Sequence, residues 1–328
     1  MKTDIATIRT GLKDVMKAHA PLVMLAVLCV IGVICFPAFG TTTNVVNIFR
    51  RVSISGLVTI GMAFVILSGG IDLSVGSITV VASIVSVQFC ESSALLAIAA
   101  PLAVGLVFGA LNGTLITFGR IPPFITTLAM MLGVRGLAFI LAGDTASQTV
   151  NAPGWFGELY RDDIFGIPYP TIILALAFGV AIVVSKYTSF GRSVYAVGGG
   201  EEAAGMMGLS VKKSKTLVYV ISGLCAGLAG LLLASQLKAS DPSAEPGLEL
   251  TAIAAVVIGG IPLTGGLGKI GQVICGVLIL GLIPNFINLF RMRYGIDLPS
   301  WYNEMITGML LLAVVLLQSR IAKKHETQ

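Results

Sequence analysis

The chain alternates long apolar runs with short polar connections, and this alternation predicts a bundle of membrane-spanning helices. A helix needs about 20 predominantly apolar residues to cross a hydrocarbon core of about 30 Å. Ten runs are candidate spans, at residues 20–39, 56–71, 73–90, 94–117, 124–142, 170–185, 216–236, 250–264, 270–290 and 302–319. The second, sixth and eighth runs are short. We therefore expect an all-α integral membrane protein with about ten transmembrane helices, and no fewer than eight.

The composition supports the membrane class. Hydrophobic residues make up 55% of the chain and charged residues 11%, whereas a soluble domain carries about 25% charged residues. The connections are short, so we expect one transmembrane domain over residues 1–328. Its polar parts are an N-terminal segment at 1–19, a sizeable loop at 186–215 and a tail at 320–328. No small-x-small cleavage site follows the first apolar run, so we expect that run to remain as the first helix.

The lysines and arginines predict the orientation, because short cytoplasmic loops retain these cations. With the N-terminus placed inside, 14 of the 21 cations lie inside and six outside, while Arg135 lies within a span. This bias predicts that both termini and the loop at 186–215 are cytoplasmic. The net charge of +5 is then explained by topology, and we expect no nucleic-acid partner.

The loop at 186–215 contains a glycine triplet, Gly198 to Gly200, followed by two glutamates, two alanines and two methionines. We expect the triplet to end an extended segment and open a short helix, with Glu201 and Glu202 in its first turn, where the helix dipole favours acids. Gly208 is suited to terminate it. Methionine side chains adapt well to the groove of a partner. The alternative is a solvated surface helix without a partner.

One glycine pattern occurs twice, at residues 69–76 and 259–266, with the form Gly-Gly-Ile-x-Leu-Ser/Thr-x-Gly. Six predicted spans separate the two copies, so both face the same side. Weak internal repeats are common in transporters, although a chain with 39 glycines also produces such a match by chance. The pattern predicts either glycine-broken helices around a polar cavity or two tight hairpins.

Asp72 and Arg135 interrupt apolar runs, and ionised groups inside a membrane usually face the interior of the bundle. They are candidate partners of each other. Alternatively, Asp72 caps the next helix with Ser74, and Arg135 extends its guanidinium towards the surface or bonds to carbonyl groups. Neutral polar groups suit an uncharged hydroxylated solute, but they also join helices through hydrogen bonds. The candidate pathway residues are Asp72, Ser74, Asn112, Thr126, Thr127 and Arg135.

The sequence contains no nucleotide site or catalytic constellation of its own. The segment 265–270 is rich in glycine and contains Lys269, but it lacks the first glycine of a P-loop and the Ser/Thr after the lysine. The five cysteines form no C-x-x-C pair, and the two histidines flank the first and last apolar runs. We therefore expect no metal, no cofactor bound by this chain and no enzymatic activity.

Several segments together identify a resemblance. They are residues 65–77, Thr126-Thr127-Leu128 with Arg135-Gly136, Phe190-Gly191-Arg192, the loop 196–209 and residues 252–260. Over roughly residues 20–320 the chain resembles the permease subunits of bacterial ATP-binding-cassette importers for monosaccharides. These importers are of the ribose/xylose/arabinose/galactose type, within the branched-chain-amino-acid/ribose permease superfamily.

The resemblance implies a multi-pass protein of the bacterial inner membrane that moves a monosaccharide inward by alternating access. The implied partners are a cytoplasmic cassette ATPase carrying ATP and Mg²⁺, a periplasmic sugar-binding protein and a second permease copy, identical or related. It implies that the ATPase-coupling residues are Gly200, Glu201, Glu202, Ala203, Ala204, Gly205, Met206, Met207 and Gly208. One departure is Gly200, which occupies the place of an asparagine before the two acids.

The main competing reading is an ion-coupled secondary transporter of a small neutral solute. Such a transporter needs titratable or ion-coordinating groups within the bundle, and the sequence supplies mainly Asp72. A membrane enzyme is a weaker alternative because no nucleophile–base–acid set is visible.

Overall fold

The structure is a computed structural model that describes residues 20–143 and 149–296, together with 299, 301, 302, 305, 306, 308, 309 and 312. The segments 1–19 and 320–328 lie outside the described residues, as does most of the tenth expected span at 302–319.

Twelve helices and one short ribbon make up the described part of the chain. The helices are α1 (Ala20–Cys35), α2 (Thr42–Leu67), α3 (Val75–Phe89), α4 (Ala94–Thr117), α5 (Pro123–Ala142), α6 (Gly154–Arg161), α7 (Tyr169–Tyr187), α8 (Ser189–Gly199), α9 (Glu201–Met206), α10 (Val211–Leu237), α11 (Leu248–Ile258) and α12 (Ile270–Tyr294). Strands β1 (Asp163–Ile164) and β2 (Ile167–Pro168) pair antiparallel. This ribbon and an isolated antiparallel bridge between Thr149 and Ala239 are departures from the all-α expectation within the described residues.

Six of the described helices are long and apolar enough to cross a membrane, namely α2, α4, α5, α7, α10 and α12. Helices α1, α3 and α11 are apolar but shorter. The second expected span was predicted too short, because the polar residues before position 56 belong to α2. Thr41 accepts a hydrogen bond from the amide of Asn44 and begins that helix, and Arg50 donates to the carbonyl of Arg161 at 2.8 Å.

The centre of the bundle is formed by α2 and α10, which pack against each other, and α3 packs against α10. Helix α10 also packs along α4, where glycines spaced four apart bring the two backbones together. A Cβ on Gly105 would overlap the carbonyl of Gly223, and one on Gly227 would overlap the carbonyl of Pro101. This close approach is the small-residue packing typical of membrane helices, where association depends on van der Waals contact.

The connections gather at two ends of the bundle. The first, which we call the loop end, carries residues 68–70, 118–122, 188–210 and 259–269. The opposite end carries residues 149–168, and there Val150 donates to the carbonyl of Lys238 at 2.9 Å.

The described cations divide almost evenly between the two ends. Those at the loop end are Arg120, Lys186, Arg192, Lys212, Lys213, Lys215 and Lys269, and those at the opposite end are Arg50, Arg51, Arg161, Lys238, Arg291 and Arg293. The excess of lysine and arginine that the sequence assigns to the cytoplasmic side therefore comes from the two terminal segments, which lie outside the described residues.

Candidate functional site

Helix α8 precedes the glycine triplet, which corrects the expectation of an extended segment there. The hydroxyl of Thr188 accepts a hydrogen bond from the amide of Gly191 at 3.1 Å and begins the helix. Gly198 and Gly199 are its last residues, and the Gly200 amide is bonded to carbonyls of the final turn. The glycines read as an interruption in the sequence, but in the structure they close one helix immediately before another.

Helix α9 lies where the sequence predicted a short helix, over Glu201–Met206. Glu201 forms an ion pair with Lys215 at the start of α10. Gly208 has a φ of +81° and ends the segment, as predicted. At Gly200 the backbone is extended, with a φ of 168°, and it offers no side-chain cap. An asparagine could adopt this conformation, so the departure at Gly200 removes a capping group without changing the path of the chain.

The outer surface of α9 is open to solvent in the single chain. Met206 and Met207 are 85% and 68% exposed, while Ala204 is fully buried and anchors the helix. We call the exposed set the coupling face, and it consists of Glu201, Glu202, Ala203, Gly205, Met206 and Met207. The two acids and Met206 on α9, with Met207 directly after it, offer both charge and adaptable apolar contact to a partner.

A cavity of about 500 Å³ lies beside α9. The turn between α4 and α5 and the first turn of α10 form its walls, and Glu201, Glu202 and Lys215 are among the residues that line it. Arg120, also at this cavity, has a φ of 55°. The α4–α5 turn and α9 therefore belong to one continuous surface at the loop end.

The glycine triplet also contacts both glycine turns predicted from the repeat. The amide of Gly266 donates to the carbonyl of Leu67 at 3.0 Å. A Cβ on Gly198 would overlap that carbonyl oxygen and crowd the Gly266 amide. A Cβ on Gly265 would press on the backbone of Gly69. We call these five residues the glycine junction, and only backbone atoms meet there.

A side-chain hydrogen bond reinforces the junction. The hydroxyl of Tyr195 on α8 donates to the carbonyl of Gly268 at 3.1 Å. Burial raises the pKa of the Tyr195 phenol above its ordinary value, so the hydroxyl keeps its proton and remains a donor at neutral pH. Helix α8, and with it α9, is thus attached at two points to the turns that follow α2 and α11.

The two copies of the glycine pattern differ locally. In the first copy the first glycine, Gly69, has a φ of +79°. In the second, Gly259 has a φ of −68° and the positive value of +93° falls one residue later, at Gly260. The copies lie at the same end of the bundle, as the span count indicated, but the turns are offset by one residue.

Asp72 lies at the centre of a buried hydrogen-bond network. Its Oδ1 accepts from the amide and the hydroxyl of Ser74, at 3.0 and 2.6 Å. Its Oδ2 accepts from the hydroxyl of Ser222 on α10 at 2.9 Å. The amide of Asn112 on α4 donates to the Ser74 hydroxyl at 2.8 Å. All four side chains are fully buried. Asp72 therefore orders the turn before α3 and also joins that turn to α4 and α10.

Arg135 has other partners, and the structure does not pair it with Asp72. Its Nη1 donates to the carbonyls of Pro242 and Ala244, at 2.9 and 3.1 Å. This matches the alternative in which the guanidinium bonds to carbonyl groups. The side chain thereby fixes the irregular segment before α11 against the middle of α5.

Thr126 and Thr127 bond to backbone carbonyls. The Thr126 hydroxyl bonds to the carbonyl of Pro122 at 3.2 Å. The Thr127 hydroxyl donates to the carbonyls of Pro123 at 2.9 Å and Ile71 at 3.3 Å. Thr127 thus joins α5 to the first glycine turn, which is the helix-joining role that the sequence left open.

Glu249, in the first turn of α11, is a candidate site residue that the sequence reasoning missed. The eighth run was set to begin at residue 250, so Glu249 fell into the preceding loop. Its Oε2 is buried and accepts no hydrogen bond, and a Cβ on Gly76 would overlap it. An acid directly before an apolar run was the available signal, but only the fold places it opposite α3.

Comparisons with known proteins give consistent matches. A family model described as branched-chain amino acid transport system / permease component matches residues 44–315. The chain is 39% identical over 314 residues to the ribose import permease protein of Bacillus subtilis (strain 168), covering 95% of this chain and 96% of the relative. It is 36% identical over 314 residues to the L-arabinose transport system permease protein of Escherichia coli (strain K12), covering 94% and 92%. No solved structure gives a significant match.

Proposed function

The chain belongs to the family of branched-chain amino acid transport system / permease components, and from this premise we propose that it is the membrane subunit of an ATP-driven sugar importer. It moves a monosaccharide into the cytoplasm by alternating access and is not catalytic by itself. A separate cassette ATPase binds ATP and Mg²⁺ and hydrolyses the nucleotide. The sugar class is supported by the names of the relatives, which are ribose and arabinose permeases.

The proposed architecture has about ten spans in the bacterial inner membrane, with both termini in the cytoplasm. The six long helices and the short α1, α3 and α11 account for nine spans, and the apolar run at 302–319 supplies the tenth. The loop end is then cytoplasmic. The functional unit contains two permease copies, identical or related.

The observation that carries this proposal is the direct attachment of the coupling face to the glycine junction. The ATPase binds α9 through contacts with Glu201, Glu202, Met206 and Met207. Movement of α9 displaces Gly198, which rests against the Leu67 carbonyl at the end of α2. Because only backbone atoms separate these segments, no flexible side chain absorbs the displacement.

The displaced turn is joined to the polar network around Asp72. Residues 68–74 connect α2 to α3, and Asp72 joins this turn to Ser222 of α10. The Asn112 amide extends the network to α4 through Ser74. A shift of the turn therefore repositions α3 relative to α4 and α10, which is the rearrangement that alternating access requires.

The opposite end receives the sugar-binding protein in this proposal. Its β1–β2 ribbon is exposed, and the Phe165 side chain at its tip is fully accessible. The neighbouring α6 is anchored by Phe156, which is completely buried. An exposed aromatic tip beside a helix fixed by a buried aromatic side chain suits docking of a soluble protein.

The test of function is uptake in proteoliposomes that contain the permease, its ATPase and its binding protein. We expect uptake of labelled D-ribose or L-arabinose to require ATP on the side of the membrane where the ATPase lies. It should continue when an uncoupler removes the proton gradient while ATP is held constant. Loss of uptake under the uncoupler with ATP maintained would instead support the ion-coupled secondary transporter.

The coupling face is tested by adding charge at its methionines. Met206→Arg with Met207→Arg should abolish ATPase co-purification and uptake, because two desolvated cations would oppose an apolar contact. Met292→Arg is the matched control, since Met292 is 78% exposed at the opposite end. Normal ATPase binding by the double variant would contradict the assignment of α9.

A further inference from the structure

Two charged side chains lie together at membrane depth, away from the coupling face. Arg135 is the thirteenth residue of α5, so at a rise of 1.5 Å per residue it lies about 18 Å from the start of that helix and about 10 Å from its end. Its bonds to Pro242 and Ala244 hold irregular backbone at the same depth. Such backbone is tolerated there only where protein covers it or where it lines a water-filled cavity.

Glu249 faces this segment from the start of α11. Its Oε2 is buried without a hydrogen-bond partner and packs on Gly76, at the start of α3. The N-terminal ends of two short helices, α3 and α11, therefore meet at this carboxylate. Buried polar atoms are nearly always hydrogen-bonded, so an unpaired carboxylate oxygen requires an explanation.

The two charged side chains are joined by one segment of chain but do not pair directly. Arg135 binds the carbonyls of Pro242 and Ala244, and the chain then leads into α11 and Glu249; the structure forms no ion pair between these two described residues.

The charges of Arg135 and Glu249 limit what the surface that carries them can contact. Arg135 and Glu249 are both partly exposed in the single chain. A charged side chain at the centre of a membrane helix costs about 2.5–3.5 kcal/mol on insertion scales. The face between α5 and α11 is therefore unsuited to lipid and suited to a water-lined passage.

We propose that Glu249 and Arg135 form a binding station for the hydroxyl groups of the sugar as it crosses the membrane. This inference rests on the proposed function. The carboxylate of Glu249 only accepts hydrogen bonds and the guanidinium of Arg135 only donates them, whereas a sugar hydroxyl does both. A neutral polyol satisfies both groups. A cation is repelled by Arg135, and an anion is repelled by Glu249.

The first test measures sugar imported per ATP hydrolysed in the reconstituted complex. For Glu249→Ala we expect uptake of D-ribose or L-arabinose to fall about tenfold, while ATP hydrolysis stimulated by the loaded binding protein stays within about twofold of wild type. Glu249→Gln should lose less, because it keeps one acceptor oxygen. Glu245→Gln is the matched control, since this carboxylate belongs to the same segment and is not one of the two groups proposed to bind the sugar.

The second test measures water access with a charged, membrane-impermeant thiol reagent. Glu249→Cys should react above the background of the wild-type chain, and labelling should block uptake. Leu106→Cys on the apolar surface of α4 should remain at background. The inference is overturned if Glu249→Cys is unreactive, or if uptake and ATP hydrolysis fall together in Glu249→Ala. ATP-driven uptake by the wild-type complex is measured separately. It tests the proposed function, whereas the Glu249 variants test the proposed sugar-binding site.

Discussion

The central helix α2 and the peripheral helix α4 differ in a way that reverses the rule for soluble proteins. The apolar window of α2 has a mean hydropathy of 1.6 and is 83% buried, whereas that of α4 has a mean hydropathy of 2.4 and is 22% buried. The less hydrophobic helix therefore forms the core. In a bilayer the lipid is as apolar as leucine, so burial gains little from hydrophobicity alone.

The polar side chains explain why the positions are reversed. Thr59 and Ser53 of α2 are fully buried and bond to carbonyls of their own helix. On α4, Leu95 and Val107 are exposed, and the buried polar residue Asn112 faces the Asp72 network. The centre carries the groups that cannot face lipid, and those groups connect the moving parts of the proposed transporter.

The largest expected effect is at the glycine junction. Gly198→Ala should abolish uptake, because its methyl group would overlap the Leu67 carbonyl and separate α8 from α2. Gly199→Ala is the neighbouring control, since no atom lies within 4 Å of its Cβ position. The measurement is ATP-driven uptake by membrane-inserted protein. Equal loss in both variants would show that helix propensity, and not the junction, is responsible.

The next effect concerns packing in the two regions. Leu57→Ala, in the fully buried part of α2, should destabilise the protein by about 2–5 kcal/mol through the cavity it leaves. Leu106→Ala, on the exposed side of α4, should change stability by less than about 1 kcal/mol, because lipid fills the space. Unfolding of the purified protein in detergent or bicelles checks both. Similar losses would contradict the assignment of centre and periphery.

A smaller effect is expected at the polar network. Asp72→Ala leaves Ser74 and Ser222 without their shared acceptor, which should cost about 1–3 kcal/mol and impair uptake. Asp72→Asn keeps the shape and one acceptor, so it should be milder in the same assays. Ser222→Ala, which removes one of the three bonds, should fall between wild type and Asp72→Ala. Full activity and stability of Asp72→Ala would show that these hydrogen bonds contribute neither to transport nor to the stability of the bundle.

The smallest effect is expected at the start of α9. Gly200→Asn should be accepted, because the backbone there is extended and the nearest atom to its Cβ position is Ala203 Cβ at 3.8 Å. The new side chain can cap α9, which favours the helix by a few tenths of a kcal/mol relative to glycine. Uptake should be unchanged or slightly raised, with stability of the ATPase complex as the second measurement. A marked loss would show that Gly200 needs its flexibility during the cycle.

Many features were readable from single segments of the sequence. Helical hydropathy predicted the membrane class, the motifs predicted the sugar-importer permease family, and the family and relatives confirm that prediction. Local chemistry predicted α9 and its end at Gly208. The start of α2 was missed because its first turns are polar and lower the hydropathy there. The run predicted for α11 was too long because the helix ends at Ile258, before the turn at Gly259 and Gly260, and Glu249 hid its true first turn.

The sequence by itself determined the long apolar helices, the short helix α9, the glycine turns that follow two of the helices and the family to which the chain belongs, because these are properties of short stretches of chain. Only the tertiary structure decided that α2 is central, that Gly198 meets both glycine turns, and that Arg135 bonds to the segment before α11 while Asp72 bonds to serines. The reason is that hydropathy predicts only whether a segment is removed from water into the membrane or the protein interior. In a bilayer, which segments then face each other is decided by close packing and by the hydrogen bonds of groups that lipid cannot satisfy.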